Sequence, residues 1–168
     1  NKPISAPEVT ISIPTSDDAT AKITIRDNGP GMDLVTLESA VKAGWTGNDP
    51  INNLGMFGMG FNIATARLGT MTRVWTTRDG DSEWYGLEIN FESLIQQRHF
   101  RTPMLSRPKA DPNEHGTEVS IERLKPEQRQ WFAKYANRSK LGKELGRAYS
   151  TMLRPNGRPI SFSLKFNG

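Results

Sequence analysis

Two glycine-rich stretches hold the residue types best suited to chemistry. Asp27-Asn28-Gly29-Pro30-Gly31-Met32 sets a carboxylate in a glycine turn straight after a strand-like segment, and Gly55-Met56-Phe57-Gly58-Met59-Gly60-Phe61 opens a helical pattern. A carboxylate beside the core can accept a hydrogen bond from the exocyclic amine of adenine. Guanine carries a carbonyl at that ring position, so the wrong base leaves the acceptor unpaired. Gly29 and Gly31 leave space for a flat ring against the backbone. A plain Asp–Gly turn closed by an Asx hydrogen bond explains the same residues.

In the second stretch, glycines at spacings of three and two allow positive φ and close approach of a ligand to backbone. Successive N–H groups at the start of a helix then form a cradle for anions, aided by the helix dipole. No Lys-Ser or Lys-Thr follows Gly60, so this is not a Walker A loop, and it follows a loop rather than a strand, unlike a dinucleotide fingerprint. A glycine turn that serves only packing accounts for it equally well. Further on, His115-Gly116-Thr117 begins a strand, where the Thr117 hydroxyl could meet a base or a bound water, although a Gly-Thr strand start is usually structural. His99 and His115 lack metal-ligand spacing and are assigned no catalytic role.

The elements that must position these groups follow from periodicity. Val9–Ile13 and Ala21–Ile25 alternate as half-buried strands around a polar turn at Thr15-Ser16-Asp17-Asp18. Asp33 is a suitable N-cap for a helix carrying Leu34, Leu37 and Val41 on one stripe. Gly44 to Asn53 has the composition of a surface loop that could serve as a lid. Phe61, Ala64, Thr65 and Leu68 recur at helical spacing, with Gly69 as the expected cap. Met71–Thr77 and Glu83–Asn90 read as a hairpin about Asp79-Gly80-Asp81. Arg98 to Glu114, with three prolines, is expected to be irregular and outside the core, and Thr117–Ile121 to be a strand. Pro126 suits a first helical position. Two helices follow, the second with Leu141, Leu145, Ala148 and Met152 on one side, and Ile160–Leu164 closes the chain as a strand. The expected fold class is α+β: a two-layer α/β sandwich with helices on one face of a mixed, mainly antiparallel sheet.

The 168 residues suit a single domain with a sizeable core. No apolar run approaches the roughly 18 residues of a membrane span, and Asn1 to Pro7 lack the pattern of a secretion signal. Cysteine is absent, which rules out disulfides and thiolate metal sites and makes a reducing, cytoplasmic setting the default expectation. The net charge of +4 is unevenly spread: residues 1–97 carry 7 Lys/Arg against 12 Asp/Glu, and residues 98–168 carry 15 against 6. A basic half could meet nucleic acid or an acidic partner. A solvated helical face explains it more simply, and no cluster is dense enough to favour nucleic acid.

Taken in order, a strand with DNGPGM, a lid-like loop, GMFGMGF opening a helix and later HGTEVSIERL resemble the gyrase/heat-shock-chaperone/histidine-kinase/mismatch-repair ATPase superfamily, often called GHKL. The resemblance spans residues 8–124. The second loop is most similar to that of the ninety-kilodalton heat-shock chaperones and the microrchidia-type ATPases, and the C-terminal helix and strand are similar to the tail of bacterial members of the microrchidia-like branch. Sensor histidine kinases usually carry a Gly-x-Gly-x-Gly loop instead.

The resemblance implies a Bergerat-type ATP-binding fold with ATP and Mg2+ as cofactors. It places Asp27 at the adenine amine, Gly29 and Gly31 at the base with Gly31 beneath it, Met32 in the pocket wall and Thr117 in the water network. The backbone of Gly55, Met56, Phe57, Gly58, Met59, Gly60 and Phe61 would hold phosphates, with 44–53 in the ATP lid. Lys42 matches a lysine that reaches toward the nucleotide in the chaperone branch, although a solvated helix-end Lys is equally ordinary. Asn62 stands where microrchidia-type proteins often carry Lys.

Relatives also place a helix with a catalytic Glu and a magnesium-binding Asn before the first strand. Glu8, against a Pro at a strand start, cannot simply stand in. Residues 1–168 are therefore expected to be one histidine-kinase-like ATP-binding domain, a fragment with its magnesium ligand outside the chain and little turnover alone. The intact protein would couple ATP binding and hydrolysis to conformational change, with an ATP-dependent homodimer as one expectation. The alternatives are a non-catalytic nucleotide-sensing scaffold, the ATP-binding domain of a histidine-type protein kinase, and a nucleic-acid-binding domain.

Overall fold

The structure is a computed structural model that describes residues 7–41, 60–97, 103–150 and 160–167. Among these described residues, seven strands and five helices follow one another as β1 (Glu8–Pro14), β2 (Ile23–Asp27), α1 (Leu34–Val41), α2 (Gly60–Leu68), β3 (Gly69–Thr77), β4 (Glu83–Asn90), α3 (Phe91–Gln97), β5 (Met104–Pro108), β6 (Gly116–Leu124), α4 (Pro126–Ala133), α5 (Tyr135–Ala148) and β7 (Ser161–Asn167). The strands form one sheet in the order β5-β4-β3-β6-β2-β1-β7. Among the described strands only the β1–β7 pair is parallel; the other pairs are antiparallel. The expected mixed, mainly antiparallel sheet is therefore present.

Register explains how period-two sequences make a core. Leu164, Ile11, Ile25, Val119, Val74, Leu87 and Met104 are successive cross-strand partners, giving one apolar row across all seven strands. The helices cover that face. Phe132 of α4 packs with Ile13, Ile23, Ile121 and Leu124, while Leu37 and Val41 of α1 pack with Val74, Leu87 and Ile89. Val119 touches both groups, so the two halves of the core meet on β6. Each such fully buried apolar side chain contributes roughly 1.5–3 kcal/mol relative to exposure.

The opposite face is polar and arginine-rich. Arg73 pairs with Glu88 and Glu122 across three strands, and the Arg107 guanidinium lies 4.6 Å from the Trp75 ring centre and 5.0 Å from that of Trp84. Trp75 in turn covers Gly86, its cross-strand partner, where a Cβ would come within 2.5 Å of the indole.

Several local expectations need correction. Gly69 does not cap α2; it is the first residue of β3, and a Cβ there would meet the Glu122 carbonyl at 2.5 Å. Glycine is required by the close approach of β6, not by a helix terminus. The 98–114 stretch is not wholly irregular, because β5 pairs with β4 as an edge strand. Helix α3 was not expected. On α1, Leu34 is exposed while Leu37 and Val41 are buried, and on α2 Ala64 faces solvent while Thr65 is buried. Met152 lies outside the described residues. Among the described residues, no helix is long and apolar enough to cross a membrane.

Candidate functional site

One step along the strands from the apolar row, the same helix-covered face turns polar. Asp27 ends β2, Thr117 follows the first residue of β6, and Thr76 lies near the end of β3, paired with Thr117. Strand alternation puts Asp27 on the face of Ile23 and Ile25, and Thr117 on that of Val119. Since β6 lies between β2 and β3, three polar side chains from distant parts of the chain become neighbours at one end of the sheet.

The Asp27 carboxylate is held by main-chain donors. Its Oδ1 accepts the Gly29 N–H at 2.7 Å, closing an Asx turn, and the Thr117 N–H at 3.2 Å. Among the described residues no donor reaches Oδ2. The Asx turn and a functional carboxylate are therefore compatible, because the turn uses one oxygen and leaves the other. Asn28 locks the neighbouring backbone: its N–H donates to the Glu8 carbonyl at 3.2 Å, and its Oδ1 accepts the Glu8 N–H at 2.7 Å.

From Asn28 the turn crosses over the start of β6 to reach the end of β3, and glycines permit that crossing. A Cβ on Gly116, at φ 130°, would lie 2.1 Å from the Asp27 carbonyl oxygen. One on Gly31, at φ 70°, would lie 2.1 Å from the Thr77 carbonyl oxygen. His115 Nδ1 lies 2.9 Å from the Gly29 carbonyl, which makes that nitrogen the protonated donor. The fully buried Thr76 hydroxyl accepts the Met32 N–H at 2.8 Å and donates to the Gly116 carbonyl at 3.2 Å. Met32 packs against the Leu37–Val41 side of the core. Asp33 then caps α1, with the Thr36 N–H on its Oδ1 at 2.7 Å. Hydrogen bonding by Thr36 holds the Asp33 carboxyl below the usual carboxylate range.

The structure thus brings together Asp27, Gly29, Gly31, Met32 and Thr117. Gly60 and Phe61 open α2, with Gly60 exposed and Phe61 packed against the α1 side of the core. Lys42, Gly55, Met56, Phe57, Gly58 and Met59, with the 44–53 loop, lie outside the described residues. Glu8 falls on the open face with Thr10, whose hydroxyl donates to Glu8 Oε1 at 3.2 Å, away from the polar cluster. Sequence reasoning missed Thr76 and the contact made by His115. Their only local signals were a buried-phase hydroxyl in a strand and a His beside Gly-Thr. Among the described residues no group of three or more His, Asp or Glu side chains could hold a metal ion.

The arrangement offers a fixed carboxylate acceptor beside glycine-lined backbone, together with a helix whose N-terminal amides are unpaired within the helix. That donor and acceptor set fits an adenine amine and an anionic tail. The family model for "Histidine kinase-, DNA gyrase B-, and HSP90-like ATPase" matches residues 4–117, the span that carries the polar cluster and the start of α2. Among solved structures, the MutL ATPase domain of Aquifex aeolicus, complexed with ADP, is similar with a TM-score of 0.56 and 16% sequence identity, covering 96% of this chain. The chain spans 52% of that structure's length, and at this identity the likeness shows a shared fold. No curated protein matches the sequence.

Proposed function

The chain belongs to the histidine kinase-, DNA gyrase B- and HSP90-like ATPase family, and from that premise we propose that Asp27 is the adenine-selecting group of its ATP site. ATP brings an amine donor on its base and a polyanionic tail. Asp27 Oδ2 accepts from the amine, and the two amides on Oδ1 keep the carboxylate pointing one way without reorganisation on binding. Gly29 and Gly31 keep side chains off the ring, Met32 forms part of its apolar wall, and the Thr117 hydroxyl joins the water network beside Asp27. The amides and dipole of the Gly55–Phe61 segment and α2 meet the phosphates. Lys42 is a further candidate contact. When bound, magnesium would neutralise phosphate charge while calling on few protein ligands, and we propose that its ligand lies outside residues 1–168.

For the whole protein we propose ATP hydrolysis coupled to conformational change, with an ATP-dependent homodimer and the chaperone- or microrchidia-like branch as the finer assignment. Glu8, on the opposite face, does not supply the hydrolytic base. That base is proposed to come from outside the chain, along with the magnesium ligand.

The observation that carries this reading is the Asp27 carboxylate with one oxygen bound to two main-chain amides. Calorimetric titration with ATP, ADP and GTP tests it, comparing wild type with Asp27→Asn. The variant keeps an acceptor for the amides while changing the group that meets the base. Wild type should prefer adenine nucleotides, and Asp27→Asn should lose about 10- to 100-fold in their affinity, the range for a semi-buried polar group left mismatched. Equal binding of ATP and GTP by wild type, or unchanged ATP binding by the variant, would overturn the assignment.

A further inference from the structure

The amide of Asn62 ties the start of α2 to the end of α1. Its Nδ2 donates to the Val41 carbonyl across 3.0 Å. Val41 is the last described residue of α1, and its side chain is buried in the core beside Leu37. This donation fixes the amide's orientation, since a flipped group would set its oxygen against the carbonyl oxygen. Among the described residues, Oδ1 is then buried without a hydrogen-bond partner. An apolar side chain of similar size would avoid the orphan acceptor, so burial alone does not explain an amide at this position. What the amide adds is a directional link between two helices.

That link acts on the first turn of α2. Among the described residues, nothing lies within 4 Å of where a Cβ on Gly60 would be, and the glycine contributes no side-chain anchor. Anchoring falls to its two successors: Phe61 packs against the core group that holds Leu37 and Val41, and Asn62 bonds Val41 itself. Thr65 tightens the same turn by donating to the Phe61 carbonyl at 2.9 Å. A ring sets the depth of the helix start, and an amide sets its direction relative to α1.

We infer that Asn62 is a positioning residue for phosphate binding, holding the N-terminal amides and positive dipole end of α2 at a fixed place relative to α1. The inference rests on the ATP-site reading above and names a residue outside the two glycine motifs. Asn62 acts through α2 and does not touch the nucleotide. Fixing the helix start before the ligand arrives removes an ordering cost from the phosphate-dependent part of binding, while the base-dependent part, set by Asp27, is untouched.

The test uses this separation. Affinities for ADP and adenosine are measured by nuclear magnetic resonance titration of the 168-residue chain, for wild type, Asn62→Ala and Asn62→Asp. Asn62→Ala should weaken ADP about tenfold, the size of a favourable helix-terminus interaction, and leave adenosine unchanged. Asn62→Asp loses the donor and adds a negative charge in the first turn of α2, which offsets the positive end of the helix dipole, so ADP should weaken further. Retained adenosine binding shows that the variant is folded. If Asn62→Ala fails to fold, Asn62→Ser, whose side chain is too short to span to Val41, gives the same readout. ADP affinity unchanged in the variants, or ADP and adenosine weakened by the same factor, overturns the inference alone. A wild-type chain that binds neither compound overturns the ATP-site reading and this inference with it.

Discussion

The Thr76 hydroxyl of β3 accepts the Met32 main-chain N–H at 2.8 Å although β6 lies between β3 and β2, the strand from which the Met32 turn departs. The turn after β2 therefore arches over the beginning of β6, and the same hydroxyl donates downward to the Gly116 carbonyl beneath the arch. One buried side chain satisfies two main-chain groups on two segments, and so sets the height of the turn that carries Gly29, Gly31 and Met32. The Asp27 carboxylate is fixed from below by Thr117 N–H, and the arch above it by Thr76.

Replacing Thr76 by Val keeps the shape and removes both hydrogen bonds. The Met32 N–H and the Gly116 carbonyl then lose their partner at a fully buried position, which costs about 1–3 kcal/mol. Thr76→Ser keeps the hydroxyl and removes one methyl, costing about 1 kcal/mol. Urea denaturation should rank wild type, Ser and Val in that order, with adenine affinity falling most in Val. A Val variant as stable as wild type would show that the arch does not depend on this bridge.

Gly31 and Gly80 both have positive φ, at 70° and 88°, but their surroundings differ. A Cβ at Gly31 would press on the Thr77 carbonyl, whereas at Gly80 nothing among the described residues lies within 4 Å. Gly80→Ala should thus show only the conformational penalty of a left-handed L-residue, about 1–2 kcal/mol. Gly31→Ala adds a backbone clash that no side-chain rotation relieves, so its destabilisation should reach about 3 kcal/mol or more. Equal losses in the two variants, read from denaturation midpoints, would place the arch farther from β3 than the structure has it.

The sequence patterns that were legible are those in which a local rule matches the tertiary outcome. Ile23 and Ile25 alternate because their strand has one buried face, and the Asp33 cap and the Asp79-Gly80 hairpin turn carry their own chemistry. Asp27 and its Asx turn were likewise visible. Its contact with Thr117 was not, because only the placement of β6 between β2 and β3 joins residues ninety positions apart. The family's motif order supplied what local periodicity could not. Strand β5 escaped notice because little apolar burial marks it. Its Arg107 is held over Trp75 and Trp84, so stacking and pairing with β4 replace the hydrophobic alternation that reveals a strand. Gly69 misled because a glycine after a helix looks the same whether it turns the chain or merely lets another backbone come close. Asn62 and Thr76 are ordinary polar residues in their segments, and their roles exist only in contacts across the fold.

Glu114 supplies a pH-dependent part of stability on the open face. The Trp84 indole N–H donates to its carboxylate at 3.2 Å, and this bond is the largest influence on its ionisation. Desolvation opposes it, while the Arg26 guanidinium at 3.1 Å and the Ala110 N–H add to it, leaving the carboxyl below its ordinary 4.5. The native value lies under the unfolded one, so the anion's contribution is complete above pH 4.5 and disappears as pH falls through the native value. Glu114→Gln retains an acceptor for Trp84 but removes the charge. At pH 7 the variant should be less stable by about 1 kcal/mol, a figure that allows for the partial exposure of the Arg26 pair. The difference between the two proteins should then shrink steadily in urea denaturation series below pH 4.5. A gap that stayed constant through acid pH would mean that the packing of Glu114 against Trp84, and not its charge, stabilises this corner of the sheet.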